Sequence, residues 1–155
     1  MERGNAKLLS GSRLPVARLV EHPATLAACE HLERQGYRIH RIAVDSEGAL
    51  DMAQFRAALS PRVALVSVMW ANNATGVLFP IGEMAELAHE QGALCHCDAV
   101  QVVGKIPIAV GQTRIDMLSC SAHKFHGPKG VGCLYLRRGT RFRPLLRGGH
   151  QEYGR

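Results

Sequence analysis

No apolar run in this sequence is long enough to cross a bilayer as a helix, so no transmembrane segment is expected. The first residues, MERGNAKLLSGSRLP, lack the apolar core and small-residue cleavage site of a secretory signal, and a cytoplasmic setting is expected. Metal-site spacing is also missing. The tightest grouping of soft ligands, Cys95-His96-Cys97, has one residue between its thiols, whereas structural zinc sites need two or more. On a strand those neighbours point to opposite faces, so no metal is expected. The five cysteines (29, 95, 97, 120 and 133) are an odd number spread through predicted helices and strands. They read as reduced, partly buried thiols rather than a disulfide framework. There is neither an internal repeat nor a low-complexity linker.

Acidic residues are the minority, 13 against 19 basic, for a net charge of +6. The excess lies mainly in the arginine-rich stretch 137–155, RRGTRFRPLLRGGHQEYGR, which holds a single glutamate. Such ends are ordinarily solvated, and no nucleic-acid partner is expected. What is present describes an ordinary globular chain: 155 residues, 46% apolar and 21% charged, enough for one domain with a real core.

Strand and helix patterns alternate along it. Residues 15–20 (PVARLV) read as extended, and Pro23 opens a helix that Gly36 closes. YRIHRIAV (37–44) reads as a strand, DSEGAL as a turn, and Asp51 as the cap of a short helix ending before Ser60-Pro61. RVALVSVMW (62–70) is almost wholly apolar, as expected of a central strand buried on both faces. After the loop ANNATG comes the helix PIGEMAELAHEQG, then the strands ALCHCDAV, IDMLSCSA and VGCLYLRR. This order predicts an α/β fold with a mainly parallel sheet flanked by helices.

Sheets of this kind take their ligands at the C-terminal ends of the strands. The polar residues there are Glu21-His22, Asn72-Asn73, Asp98 with Gln101, and Ser121 through Lys124 in SAHKFHGPKG. Taken singly, Lys124 reads as an exposed loop lysine, His22 as a helix-entry residue, and Asn73 and Gln101 as loop or cap residues. Asp98, following the apolar ALCHC, needs a cationic or hydrogen-bonding partner if buried. If the ligand is pyridoxal phosphate, that partner is the pyridinium nitrogen, and Lys124 is a candidate amine nucleophile. His22 then suits stacking and proton shuttling, Gln101 and Asn73 suit orienting the ring oxygen and substrate, and Ser121 and His123 suit a phosphate.

The ordered set VEHPATLAACEHLE, ALVSVMWANNATGVLFPI, HCDAVQVVGKIPI and SAHKFHGPKGVGCLYLRRGTRFRPLLRGGHQE resembles the cysteine desulfurases, of nitrogen-fixation type. These belong to class V of the fold-type I pyridoxal-phosphate enzymes. The resemblance covers residues 15–155 and implies part of the large, cofactor-binding domain, preceded by a segment 1–14 and without the small C-terminal domain. It implies pyridoxal 5'-phosphate as cofactor, with Lys124 forming the Schiff base, His22 stacking on the ring and Asp98 pairing with its nitrogen. Gln101 bonds the phenolic oxygen, Asn73 lies near that oxygen and the substrate carboxylate, and Ser121 and His123 hold the phosphate. The implied reaction removes sulfur from L-cysteine, giving L-alanine and a protein persulfide for iron–sulfur cluster assembly. A sulfur-acceptor or scaffold protein and a homodimer are the implied partners. The GGHQE tail is similar to the group that includes the nitrogen-fixation and housekeeping enzymes.

The sequence departs from that pattern in three places. Ala74 stands where the family's asparagine loop carries glutamate, and Ala17-Arg18-Leu19-Val20 stand where small hydroxyl residues are common. None of the five cysteines matches the family's nucleophile, and efficient turnover by this chain is not expected. Other readings stay open at this point: a selenocysteine lyase, aminotransferase or epimerase of the same superfamily, or an inactive module pairing with a full-length homologue. A basic nucleic-acid binder would show salt-dependent binding but leaves Asp98 and His22 unexplained.

Overall fold

The computed structural model describes residues 14–18 and 21–143. Outside them lie the segment 1–13, Leu19 and Val20 of the expected first strand, and 144–155 with the GGHQE stretch. Among the described residues, six strands form one sheet: β1 (Leu14–Arg18), β2 (His40–Ile42), β3 (Val63–Met69), β4 (Leu94–Asp98), β5 (Met117–Ser121) and β6 (Gly132–Leu136). Their spatial order is β2-β1-β3-β4-β5-β6. The first five are mutually parallel and β6 runs antiparallel to β5. The mainly parallel α/β expectation holds.

Three helices connect the strands: α1 (Pro23–Arg34), α2 (Met52–Ala58) and α3 (Ile81–Glu90). Proline at the first helical position suits α1, because that N–H has no intrahelical acceptor anyway. Asp51 caps α2 as the sequence indicates, its Oδ1 accepting from Gln54 N–H at 2.8 Å. The main core joins α2 and α3 to one face of the sheet, where Phe55, Met84, Ala85 and Ala88 pack with Val66, Val68, Cys95, Cys97 and Leu118. Asp116 ties α3 to the sheet: its Oδ2 accepts from Cys95 N–H at 2.8 Å and bonds His89 Nε2 at 2.7 Å.

Two expectations need correction. The strand expected over 37–44 spans only His40–Ile42, because it is an edge strand with a single neighbour. Tyr37 N–H turns back to Leu32 O, and Ala43 O accepts from Asp51 N–H, so both flanks bond locally. The central β3 is not buried on both faces. Val66 and Val68 are sealed in the core, whereas Leu65 and Ser67 on the other face line a cavity and stay partly exposed. Among the described residues no helix is long and apolar enough to cross a membrane.

Candidate functional site

The cavity has a volume of about 700 Å³, within the usual range for small-molecule sites. Its floor is the sheet face opposite α3, and one wall is α1, through Thr25, Ala28, Cys29 and Leu32. Because β3, β4 and β5 run parallel, their chain exits reach the same edge, and the residues just beyond them meet around the cavity mouth. His22, Asn73, Asp98, Gln101, Ser121, His123 and Lys124 all line this one cavity.

Local bonds orient these side chains. His22 is the N-cap of α1, and its Nδ1 accepts from Ala24 N–H at 3.2 Å. A neutral ring using Nδ1 as acceptor carries its proton on Nε2, which remains available to a ligand. Asp98 ends β4, and its Oδ1 accepts from Val100 N–H at 2.9 Å, which fixes the carboxylate at the strand exit. Gln101 accepts through Oε1 from Lys105 Nζ at 3.3 Å, which leaves its amide NH₂ to act as the donor. Ser121 Oγ and His123 Nδ1 are 2.8 Å apart.

Lys124 sits in a one-turn 3-10 helix, Ala122–Phe125, that follows β5 directly. The turn is held from two sides. His126 adopts a left-handed conformation, and Gly127 N–H donates to Ala122 O at 2.8 Å, where a side chain at 127 would meet Ala122. From the loop after β4, Gly104 approaches Phe125 so closely that a Cβ there would lie 2.8 Å from the Phe125 Cβ. Asn73 is exposed beside a loop that its neighbour organises: buried Asn72 accepts through Oδ1 from Ala74 N–H at 2.9 Å and from Thr75 N–H at 2.8 Å.

Sequence reasoning missed His96 and Ser67, which face each other on the cavity floor with Oγ and Nδ1 2.9 Å apart. Burial holds the His96 imidazole below its ordinary pKa, partly offset by the charge of Asp98. The available signal was period two: His96 is two residues before Asp98 on one strand and shares its face. The same alternation sends Cys95 and Cys97 into the core. Burial pushes the Cys95 thiol up to about 12, with the Asp116 charge adding to it, and raises Cys97 further. Neither is a ready nucleophile or ligand.

The lining suits a flat aromatic group bearing an aldehyde, a basic ring nitrogen and a phosphate. An amine (Lys124), a fixed carboxylate (Asp98), an amide donor (Gln101), a hydroxyl–imidazole pair (Ser121 and His123) and an imidazole (His22) line the cavity together with Ser67 and His96 and with apolar side chains such as Leu65 and Met69.

A family model described as aminotransferase class-V matches residues 6–153. A cysteine desulfurase of Klebsiella pneumoniae is 93% identical over 148 residues, covering 96% of this chain and 37% of that protein. A solved structure of a NifS-like protein superposes with a TM-score of 0.89 at 36% identity, over 96% of this chain and 42% of the other. SspA in complex with cysteine gives the same TM-score, 0.89, at 34% identity over 96% of this chain and 43% of that one. The chain therefore spans just over a third of the length of that curated relative, 37%.

Proposed function

Because the chain belongs to the class-V aminotransferase family, we propose that its cavity is the lysine-centred part of a pyridoxal 5'-phosphate site for removing sulfur from L-cysteine. Residues 15–155 are then part of the large, cofactor-binding domain. The observation that carries this reading is the convergence of seven polar residues, from separate strand exits and one helix N-terminus, on a single cavity. Similarity to cysteine desulfurases, and to a relative solved with cysteine, supports the choice of substrate.

When bound, pyridoxal phosphate supplies an electron-withdrawing pyridinium ring that stabilises negative charge on the substrate carbon beside the amine. The chain's own residues would do the rest. Lys124 supplies the anchoring amine at the end of a turn that fixes its exit point. Asp98, with one oxygen held by Val100 N–H, offers its charge to the ring nitrogen and keeps that nitrogen protonated. Gln101 donates from its amide to the ring oxygen, and Ser121 with His123 holds the phosphate. His22 covers the ring and holds a proton at Nε2. Asn73 lies at the substrate end, where Ala74 brings no carboxylate.

The products are L-alanine and sulfur carried as a persulfide by a protein thiol, for a cytoplasmic sulfur acceptor or iron–sulfur scaffold. In this reading the working unit is a homodimer. Among the described residues no thiol suits the receiving role. Cys29 lines the cavity wall, but burial raises its thiol pKa and α1 holds it in place. Cys95 and Cys97 are buried in the core, and Cys120 and Cys133 lie on the sheet face turned away from the cavity.

Mixing the chain with pyridoxal phosphate should produce a visible absorption band that Lys124→Ala lacks while its circular dichroism is retained. Borohydride trapping followed by peptide mapping should label Lys124. An equal band in Lys124→Ala, or label only on Lys105 or Lys129, would overturn the assignment. Efficient conversion of cysteine to alanine by this chain alone would show that a receiving thiol had been overlooked.

A further inference from the structure

The hairpin formed by β5 and β6 carries a second arrangement of reactive groups, on the face away from the cavity. Cys120 and Cys133 are directly opposed partners in the antiparallel ladder. Ala122 N–H donates to Val131 O and Arg137 N–H to Asp116 O, so both of those opposed pairs are hydrogen-bonded pairs. Pairing alternates along such a ladder, which makes Cys120–Cys133 a hydrogen-bonded pair as well. Opposed Cα atoms in that class lie about 5.5 Å apart, inside the roughly 4.4–6.8 Å window that a disulfide spans. Their side chains share one face of the sheet, the one turned away from the cavity.

Access separates the two thiols from the others. Cys133 is exposed and Cys120 partly so, whereas Cys29, Cys95 and Cys97 are buried. The exposed Cys133 is the thiol that a small disulfide reaches first. Cβ atoms of opposed residues lie about 4.5–5.5 Å apart, at the longer end in hydrogen-bonded pairs. That is beyond the roughly 3.5–4.5 Å that disulfides span, so the two strands must draw together locally for the bond to form. A bond here would close under strain and belong to the easily reduced class.

We propose that Cys120 and Cys133 form a reversible dithiol–disulfide site, oxidised by low-molecular-weight disulfides, at the mouth of the hairpin that carries Lys124. The Cys133 thiolate attacks a sulfur of the small disulfide and releases one thiolate, leaving a mixed disulfide. The Cys120 thiolate then attacks the Cys133 sulfur and expels the second. Two protein thiols are oxidised, one small disulfide is reduced to two thiols, and the two protons pass to the released thiolates through solvent. The closed bond brackets residues 121–132, which include the Lys124 turn. The site acts independently of any cofactor.

The test uses the full chain at low concentration with oxidised glutathione, followed by acid quench, alkylation under denaturing conditions and mass spectrometry. Three of the five cysteines, 29, 95 and 97, should alkylate, and one linked peptide pair should join Cys120 to Cys133. Dithiothreitol should restore all five. Cys120→Ser should retain a glutathione adduct on Cys133 that the unaltered chain resolves, and Cys133→Ser should leave Cys120 alkylatable. A lasting glutathione adduct on Cys133 in the unaltered chain would overturn the proposal. So would a Cys133-linked dimer, or five alkylated cysteines after treatment. If either serine variant fails to fold, the peptide map of the unaltered chain decides alone.

Discussion

At the residue scale, burial separates the polar side chains of the cavity by what they can do at neutral pH. His96 stands on the floor against Ser67, and its folded-state pKa lies below the unfolded value of 6.5 because burial disfavours the imidazolium. An unfolded chain therefore takes up a proton near pH 6.5 that the folded chain refuses. The stability this neutral histidine permits is complete above that pH and falls as pH drops through the unfolded and then the folded pKa. His96→Asn should flatten the acid limb of a urea-midpoint curve just below pH 6.5 and leave its alkaline limb unchanged. An unaltered acid limb in that variant would mean His96 titrates normally. Asp98 shares the strand face of His96 and stands two residues nearer the strand exit, so both line the same cavity. The Cys95–His96–Cys97 run shows how far residue-level reading goes. Strand alternation is enough to deny the three a common ion, but the bond to Ser67 needs β3 and β4 side by side.

At the element scale, the one-turn helix after β5 matters most, since four residues are too few to hold Lys124 by their own hydrogen bonds. Tertiary contacts hold it instead. Gly104 has φ +77° and no room for a side chain against Phe125, so both its conformation and its size are required. Gly104→Ala should cost roughly 2 kcal/mol or more through the left-handed backbone and the clash together. It should also weaken cofactor binding by moving the turn. Gly92→Ala provides the control: φ there is +74°, and no heavy atom lies within 4 Å of where a Cβ would stand, so only the backbone penalty, about 1 kcal/mol, applies. Equal losses in urea midpoint for the two variants would mean that Phe125 yields freely. On the far side of β5, Arg137 donates to the carbonyls of Val110, Ile115 and Thr113, which fastens β6 to the segment entering β5. Lysine cannot bridge three acceptors in this way, so Arg137→Lys should destabilise by about 1–3 kcal/mol, read from the same urea curves.

At the scale of the whole molecule, ligand and fold are coupled through the cavity, because its lining comes from α1 and from β3 through β6 together. A ligand that binds only the folded chain stabilises it by about 2.7 kcal/mol at a hundredfold excess over Kd. For a domain of this size that is a rise in Tm of several degrees. Pyridoxal phosphate should raise the Tm of the unaltered chain by that order, and of Asp98→Asn by clearly less. A rise of the same size in both would detach Asp98 from the cofactor. The sequence by itself determined the order of elements, the mainly parallel sheet and the strand exits at which polar residues gather. Those features follow from local periodicity and turn chemistry, which neighbouring residues encode. The tertiary structure decided which faces stay open, that all seven residues share one cavity, that His96 and Ser67 belong to its floor, and that Cys120 opposes Cys133. Each of these depends on strand order and register, which bring together residues remote in the chain and are set by packing of the whole sheet rather than by any single segment.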